Sequence, residues 1–409
     1  MKIVAPALVG LIVVTAGCNS PPRGSPVAPG SNELAFDIYG KLRDREANFV
    51  FSPYSISTGL AMLYAGARGR TADEIAQAGR FTLSARRLHS AFGDSLRDLQ
   101  ADVRAVRASH GTYDMLVANA LWLKKDCLFE SDFKAAVSEQ YQGAPKSVDF
   151  AKADQARQQI NGWVEEHTEH KIADLVTASQ LDSLTCMLLT NAIYMRATWG
   201  VNFDEKETRP QDFWPPSGQA VTVPMMHRMV SEGDLARYAD SDDCQVLLLP
   251  CIGRSGLVFV VILPKKRDGL ADLERSLTYS RVEKLLSEFR NPEIDLSLPR
   301  FKVQSQLDLK PVLTALGIEL AFKKTADFSG ISDCQPLWVS AASHKAFLDV
   351  NERGIEAAAA SGFEGTNDGI DESKRVTFKA DHPFMFLIRH RKSGQIFFMG
   401  RLADPKSSN

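Results

Sequence analysis

The stretch Ser343–Phe363, SHKAFLDVNERGIEAAAASGF, changes character in its middle. Up to Val350 it continues an apolar run that reads as a buried strand. Its lone histidine, His344, reads as a core hydrogen-bonding group rather than a catalyst. Beyond Asn351 small residues take over. The alanines Ala357–Ala360 favour helix, but Gly354 and Gly362 flank them and a polar, glycine-containing segment follows, so no amphipathic helix is sustained. An extended chain puts alternate side chains on opposite faces. Ile355, Ala357, Ala359, Ser361 and Phe363 then share one face, uncharged throughout and beginning small. Glu356, Ala358, Ala360, Gly362 and Glu364 share the other. No proline occurs between Asn351 and Ala380, so each residue keeps its ladder donor. A flexible linker does not account for so clean a split.

Outward from this stretch the pattern is mixed. Downstream, RVTFKADHPFMFLIRHRKSGQIFFMGRLADP reads as strand, strand, Ser-Gly hairpin turn, strand. Upstream, EIDLSLPRFKVQSQLDL alternates, and KPVLTALGI predicts a helix ended by Gly317. Residues 184–199 are too apolar for an edge and predict a central strand covered on both faces. Val221–Leu263 is rich in short β-type runs. Helices dominate earlier: residues 31–44, then a helix opened by Ser52-Pro53 and apolar nearly all round from Ile56 to Ala67. Thr71-x-x-Glu74 has the pattern of a capping box opening the next one, and residues 153–172 predict another. The chain is α+β, with no internal repeat and no late linker.

Composition narrows the function. The 409 residues are 44% hydrophobic and 24% charged, with a formal net charge of −2. That suits a large folded core and argues against nucleic acid as a partner, since no basic cluster is present. Residues 1–17 read as an export signal too short in apolar length to span a bilayer. Thr15-Ala16-Gly17-Cys18 resembles a bacterial lipobox, with Thr15 where leucine is usual. The expectation is lipidation of Cys18, the alternative being cleavage by an ordinary signal peptidase. Residues 18–31 read as a Pro/Gly/Ser-rich tether. Five further cysteines lack Cys-x-x-Cys spacing, so neither a zinc site nor a disulfide framework is indicated, and Cys186 and Cys334 read as small core residues. His167 and His170 beside Glu165, Glu166 and Glu169 imitate a metal-binding helix face, but a solvated charged face is the stronger reading. No metal, cofactor, nucleotide loop or hydrolase elbow is indicated, and the chain does not read as an enzyme.

Eight blocks in order carry a resemblance: NFVFSPYSIS, GARGRTADEI, NAIYMRATW, VPMM, DLSLPRFKVQSQLDLKPVLTALGI, ADFSGIS, SHKAFLDVNERGIEAAAA and FKADHPFMFLI. Together they resemble the serpins, the large serine-protease-inhibitor family, over residues 32 to 405. The resemblance implies one domain, residues 32–409, of three β-sheets and about nine helices with an exposed reactive-centre loop near 352–375. It implies that a target protease cuts the loop, is held as an acyl-enzyme, and is dragged as the freed arm enters a β-sheet. Glu352, Gly354, Ile355, Glu356, Ala357, Ala358, Ala359 and Ala360 match the hinge of that arm. Ile355 stands where the family usually has Thr or Ser. Ser52, Ser55, Asn191 and His344 match the polar shutter beneath the opening strands, and Trp199 the tryptophan where insertion begins.

The family's spacing from Glu352 puts the cut between Asp368 and Gly369. Residues 352–368 extend about 56 Å at ~3.3 Å per residue, whereas a cut after Arg375 adds roughly 23 Å of slack. Lys374 and Arg375 therefore predict substrate behaviour. Asp368 predicts a serine or cysteine protease with a basic pocket as partner. The expected state is a monomer, secreted or anchored outside the cytoplasm by its lipid alone. The alternative is a non-inhibitory serpin acting as a binding or chaperone-like protein.

Overall fold

The computed structural model describes residues 24–109, 112–141, 143–200, 202–231, 234–251, 256–355 and 375–407. In chain order it begins α1 (Ala28–Leu42), β1 (Phe49–Phe51), α2 (Pro53–Gly66), α3 (Gly69–Ala78), α4 (Ala85–Ala108) and β2 (Tyr113–Lys124). There follow α5 (Ser131–Tyr141), β3 (Ala144–Val148), α6 (Ala153–His167), β4 (Met187–Thr198), β5 (Arg209–Phe213) and β6 (Val221–Val230). Next are β7 (Arg237–Asp240), β8 (Cys244–Pro250), β9 (Leu257–Pro264), α7 (Leu270–Ser276), α8 (Tyr279–Ser287) and β10 (Ile294–Pro299). The chain closes with β11 (Phe301–Asp308), α9 (Leu309–Ala315), β12 (Val339–Asn351), β13 (Gly354–Ile355), β14 (Val376–Lys379), β15 (Phe384–His390) and β16 (Ile396–Leu402).

The strands form three sheets, ordered β11-β12-β13-β4-β2-β3, β1-β16-β15-β9-β8-β7 and β14-β10-β6-β5. With nine α-helices among the described residues, this is the α+β architecture expected. The first of these, the central sheet, is covered on both faces. Odd-numbered residues of β4 such as Ile193, Met195 and Ala197 share a core with Val261, Phe259 and Phe386 of the second sheet. Even-numbered Leu188, Ala192 and Tyr194 pack under Ile160 and Val164 of α6 and the following Ile172, Leu175 and Val176. A strand buried on both faces carries an unbroken apolar run, which is why residues 184–199 read as central.

Helix α2 is buried along most of its length. Ser52 caps it, accepting from the Ser55 N–H at 3.1 Å, and Pro53 occupies its first turn. Gly317, at φ +100°, takes the left-handed position just beyond α9.

Three expectations are corrected. Thr71 and Glu74 do not open a helix: α3 starts at Gly69, and both side chains serve other segments. Thr71 accepts from the Asp327 N–H, and Glu74 from the N–H groups of Glu319 and Leu320. The tether stops short of residue 31, because α1 begins at Ala28 and buries Val27, Ala28 and Ser31. Cys334 is not a simple core thiol, for it is bonded to Cys127 across 207 residues, with Cα atoms 5.4 Å apart. Such a pairing depends on where the fold brings distant loops, and local spacing does not reveal it. Cys186, Cys244 and Cys251 are buried free thiols, and burial pushes Cys251 up to about 12.

Candidate functional site: a seam in the central sheet

Strands β12 and β4 run parallel and pair directly from Val339 opposite Met187 to Phe347 opposite Tyr194. Above that row they part, and β13 fills the gap. After β12 the chain turns at Glu352 and Arg353 and comes back antiparallel to both neighbours. Ile355 lies between Val350 and Ala197, and Gly354 between Asn351 and Thr198. Ile355 is fully buried and joins the core beneath the sheet, an apolar environment that suits its side chain. Gly354 has φ +150°, and a Cβ there would lie 2.2 Å from the Ala197 carbonyl oxygen. Only glycine fits this close approach.

The turn is anchored. Trp199 donates its indole N–H to the Asn351 carbonyl at 2.8 Å, and its backbone N–H to the Arg353 carbonyl at 3.0 Å. The Phe203 N–H reaches the Glu352 carbonyl at 3.0 Å. The Glu352 side chain is 3% exposed and lies against the Arg300 guanidinium at 2.5 Å and the Thr208 hydroxyl at 2.7 Å. Burial opposes ionisation of this carboxyl, but those two donors outweigh it and hold it below the usual range.

Midway down the seam lies a buried polar row. His344 of β12 is directly opposite Asn191 of β4, which is opposite Asn119 of β2. The Ser52 N–H donates to His344 Nε2 at 3.1 Å, so the imidazole proton sits on Nδ1 and is donated to Asn191 Oδ1. Asn191 donates to the Ser55 carbonyl and Asn119 Oδ1, both at 2.6 Å, and the Ser55 hydroxyl donates to Asn119 Oδ1 at 2.9 Å. Burial pushes His344 down to about 3, so the ring is neutral at ordinary pH. The structure thus brings Ser52, Ser55, Asn191 and His344 together, and sets Trp199, Glu352, Gly354 and Ile355 at the top of the same seam.

Glu356, Ala357, Ala358, Ala359, Ala360, Asp368, Gly369 and Cys18 lie outside the described residues, as does the stretch 1–17. Asn119, Arg300 and Thr208 were not singled out from sequence. Asn119 carried a signal, a polar residue inside MLVANALWLK, whereas Arg300 and Thr208 carried none. The outer face of the seam is also tied. Lys345 donates to the Ala173 carbonyl at 2.7 Å, Gln306 to the Leu175 carbonyl at 2.8 Å and Gln180 to the Ser343 hydroxyl at 2.9 Å. These hold the segment after α6 across the front of β11 and β12.

His167 stacks on Trp163 at 4.2 Å and its Nδ1 bonds the Trp163 carbonyl at 2.8 Å. Among the described residues no group of three or more His, Cys, Asp or Glu side chains could hold a metal ion, and no helix is long and apolar enough to cross a membrane.

A family model described as Serpin (serine protease inhibitor) matches residues 29–405. An uncharacterized serpin-like protein of Thermococcus kodakarensis is 37% identical over 386 residues, covering 93% of this chain and 86% of its own. The leukocyte elastase inhibitor of Bos taurus is 36% identical over 395 residues, covering 93% and 99%. Among solved structures, Serpin48 of the insect Tenebrio molitor superposes with a TM-score of 0.80 at 31% identity, covering 92% of this chain and 98% of that one.

Proposed function

This chain belongs to the serpin family, and on that premise we propose that it is a suicide-substrate inhibitor of serine endopeptidases, with cysteine endopeptidases as a second class. The observation that carries this reading is β13, whose two residues already occupy a strand position between β12 and β4. Continued downward in the same register, Ala357 would lie between Leu348 and Met195, and Ala359 between Ala346 and Ile193. Ser361 would arrive between His344 and Asn191, where a hydroxyl can take over hydrogen bonds that the parting side chains lose. Residue 365 would meet Met187 and residue 366 Val339, the base of both strands.

An arm ending at Asp368 therefore spans the seam with little left over. The target's nucleophile attacks the Asp368 carbonyl carbon, Gly369 leaves as the new amine, and Asp368 stays bound as an ester or thioester. Insertion then draws the enzyme to the far end of the sheet before water completes hydrolysis. Asp368 in the bait position favours proteases with a basic pocket and disfavours those with an acidic one.

The test is a protease panel. An inhibitor leaves a covalent complex that survives boiling in detergent, and its cleaved form melts well above the uncut form, which is a kinetically trapped state. Cleavage without complex and without that rise in Tm would favour a binding or chaperone-like role. We further place the activity outside the cytoplasm, a reading supported by the export-like residues 1–17 and by the Cys127–Cys334 bond, which suits an oxidising compartment. Metabolic lipid labelling of wild type, absent in Cys18→Ala, tests the anchor.

A further inference from the structure

A strand entering between β12 and β4 divides the central sheet into β11 and β12 on one side and β4, β2 and β3 on the other. Every link across that division opposes it. At the base, Val339 pairs with Met187, and Met187 with Leu123 of β2. Strand β2 ends at Lys124 and β12 begins at Val339. Cys127 follows the first end closely and Cys334 shortly precedes the second, and their sulfurs are bonded. The disulfide therefore passes the foot of β4, with one half-cystine in each part of the dividing sheet.

The Cys127 half is held to its own side. Cys127 is 1% exposed and donates its N–H to the Lys124 carbonyl at 3.0 Å. The Lys124 N–H reaches Cys186 at the foot of β4 at 3.1 Å, and the Lys125 N–H reaches Val148 of β3 at 2.9 Å. Cys334 is flanked by the fully buried Ile331 and Leu337, its N–H donates to the Ser332 hydroxyl at 3.2 Å, and the Glu130 N–H, just beyond Cys127, donates to the Ile331 carbonyl at 2.8 Å, a second tie between the two segments. Seating a strand widens the gap between β12 and β4 from about 4.8 Å to about 9.6 Å. A disulfide keeps its two Cα atoms within about 6.8 Å. The top of the seam, already parted by β13, bears no such tie.

We propose that Cys127–Cys334 is a redox latch on the expansion of the central sheet. Oxidised, the sheet admits the arm at the top and resists at the base; reduced, it opens along its whole length. The inference rests on the inhibitory reading, because only an arm that reaches residues 365–366 needs the base to part. The reductant is a dithiol. Its thiolate attacks Sγ of the partly exposed Cys334 and expels the Cys127 thiolate. Its second thiol then displaces Cys334 from the mixed disulfide, so the reductant leaves oxidised and the protein gains two electrons and two protons.

The experiment compares oxidised protein, protein reduced with dithiothreitol, and the double variant Cys127→Ala/Cys334→Ala, each as the full chain. The loop is nicked by limited trypsin at Lys374 or Arg375, and each form's change in Tm is read against its own uncut Tm, which cancels the general loss of stability on removing the bond. In parallel, a protease from the panel is titrated and the trapped and merely cleaved fractions are separated by denaturing electrophoresis. The expected result is a larger rise in Tm, and a trapped fraction several-fold higher, in both the reduced protein and the double variant. Equal rises and equal trapping in all three forms overturn the latch and leave the inhibitory reading standing. No rise and no trapping in any form overturn both. Because reduction of the wild type and substitution remove the bond independently, a double variant that fails to fold leaves the reduced protein to decide.

Discussion

His344 and Asn191 stand directly opposite each other across the β12–β4 seam, and the imidazole Nδ1–H of one donates to the side-chain oxygen of the other. Because His344 Nε2 must accept from the Ser52 N–H, only the neutral ring satisfies both contacts. A proton on Nε2 would turn that acceptor into a donor facing a donor.

The consequence is a pH dependence of definite sign. His344 is held down to about 3 by burial, against about 6.5 for an unfolded histidine. Between those values the unfolded chain binds a proton that the folded chain refuses, so stability rises with pH. The contribution is complete above pH ~6.5 and is lost as pH falls to about 3. Urea unfolding across this window should show the slope in wild type and a weaker one in His344→Ala. The variant should also lose about 2–5 kcal/mol at neutral pH from the cavity and the orphaned Ser52 N–H and Asn191 oxygen. An unchanged slope would remove His344 as its source.

Glu352 acts in the opposite chemical sense. Its carboxyl is held low by Arg300 and Thr208 despite burial, so its stabilisation is present above the usual carboxylate range and fades as acid protonates it. Glu352→Gln keeps the shape and removes the charge. The expected loss is about 1–2 kcal/mol, modest because Arg300 is half exposed and regains water. The same variant should loosen the turn at the top of the seam, read as faster amide exchange at Trp199 and Phe203. Unchanged exchange would show that the backbone bonds alone hold the turn.

Much of this site was legible from residues alone, for reasons of unequal strength. A strand covered on both faces must be apolar throughout, so β4 announced itself, and the Ser52-Pro53 pair marked the start of α2 through local chemistry. Long-range partners were another matter. Arg300 and Thr208 reach Glu352 from segments whose own patterns hold no trace of it, and Cys127 finds Cys334 across 207 residues. The Thr71-x-x-Glu74 pattern misled because both side chains satisfy backbone donors of a distant loop instead of their own helix.

Gly354 is the narrowest point of the hinge. Its φ of +150° and the 2.2 Å approach that a Cβ would make to the Ala197 oxygen leave no room for alanine. Gly354→Ala should expel β13, exposing Ile355 and the amide of Ala197, whereas the Thr198 N–H keeps its bond to the Thr112 carbonyl. Hydrogen exchange at Ile355 and Ala197 should quicken, and Asn351 on β12, opposite Gly354, should lose protection with them. Retained protection would show that the top of the seam closes without β13.

The bait position is tested by charge reversal. If Asp368 meets the target's pocket, Asp368→Arg should abolish inhibition of proteases that prefer acidic residues and create it towards trypsin-like ones. Such a switch is expected to change each association rate by orders of magnitude, since it exchanges an attractive charge for a repelling one in a desolvated pocket. Specificity that does not move would mean that another bond is cut.

Ala359 probes the arm where the structure makes the strongest demand. In the register begun by β13, residue 359 would lie between Ile193 and Ala346, both fully buried in the apolar core beneath the sheet. Ala359→Arg would carry an unpaired guanidinium into that layer, at a desolvation cost of several kcal/mol. Before cleavage the substitution lies beyond β13 and should leave the uncut protein's Tm within a degree or two. After cleavage it should stall insertion below the first two or three residues, long before residue 361 reaches the His344–Asn191 row. The protease then has time to hydrolyse the ester, and the product is cleaved chain with free enzyme in place of trapped complex. Glu356→Arg, on the opposite face and level with Arg196 and Asp349 at the top of the seam, serves as the comparison, since its charge would lie among polar side chains and away from that core. If both variants trap protease equally well, the alternation that begins at Ile355 does not govern insertion.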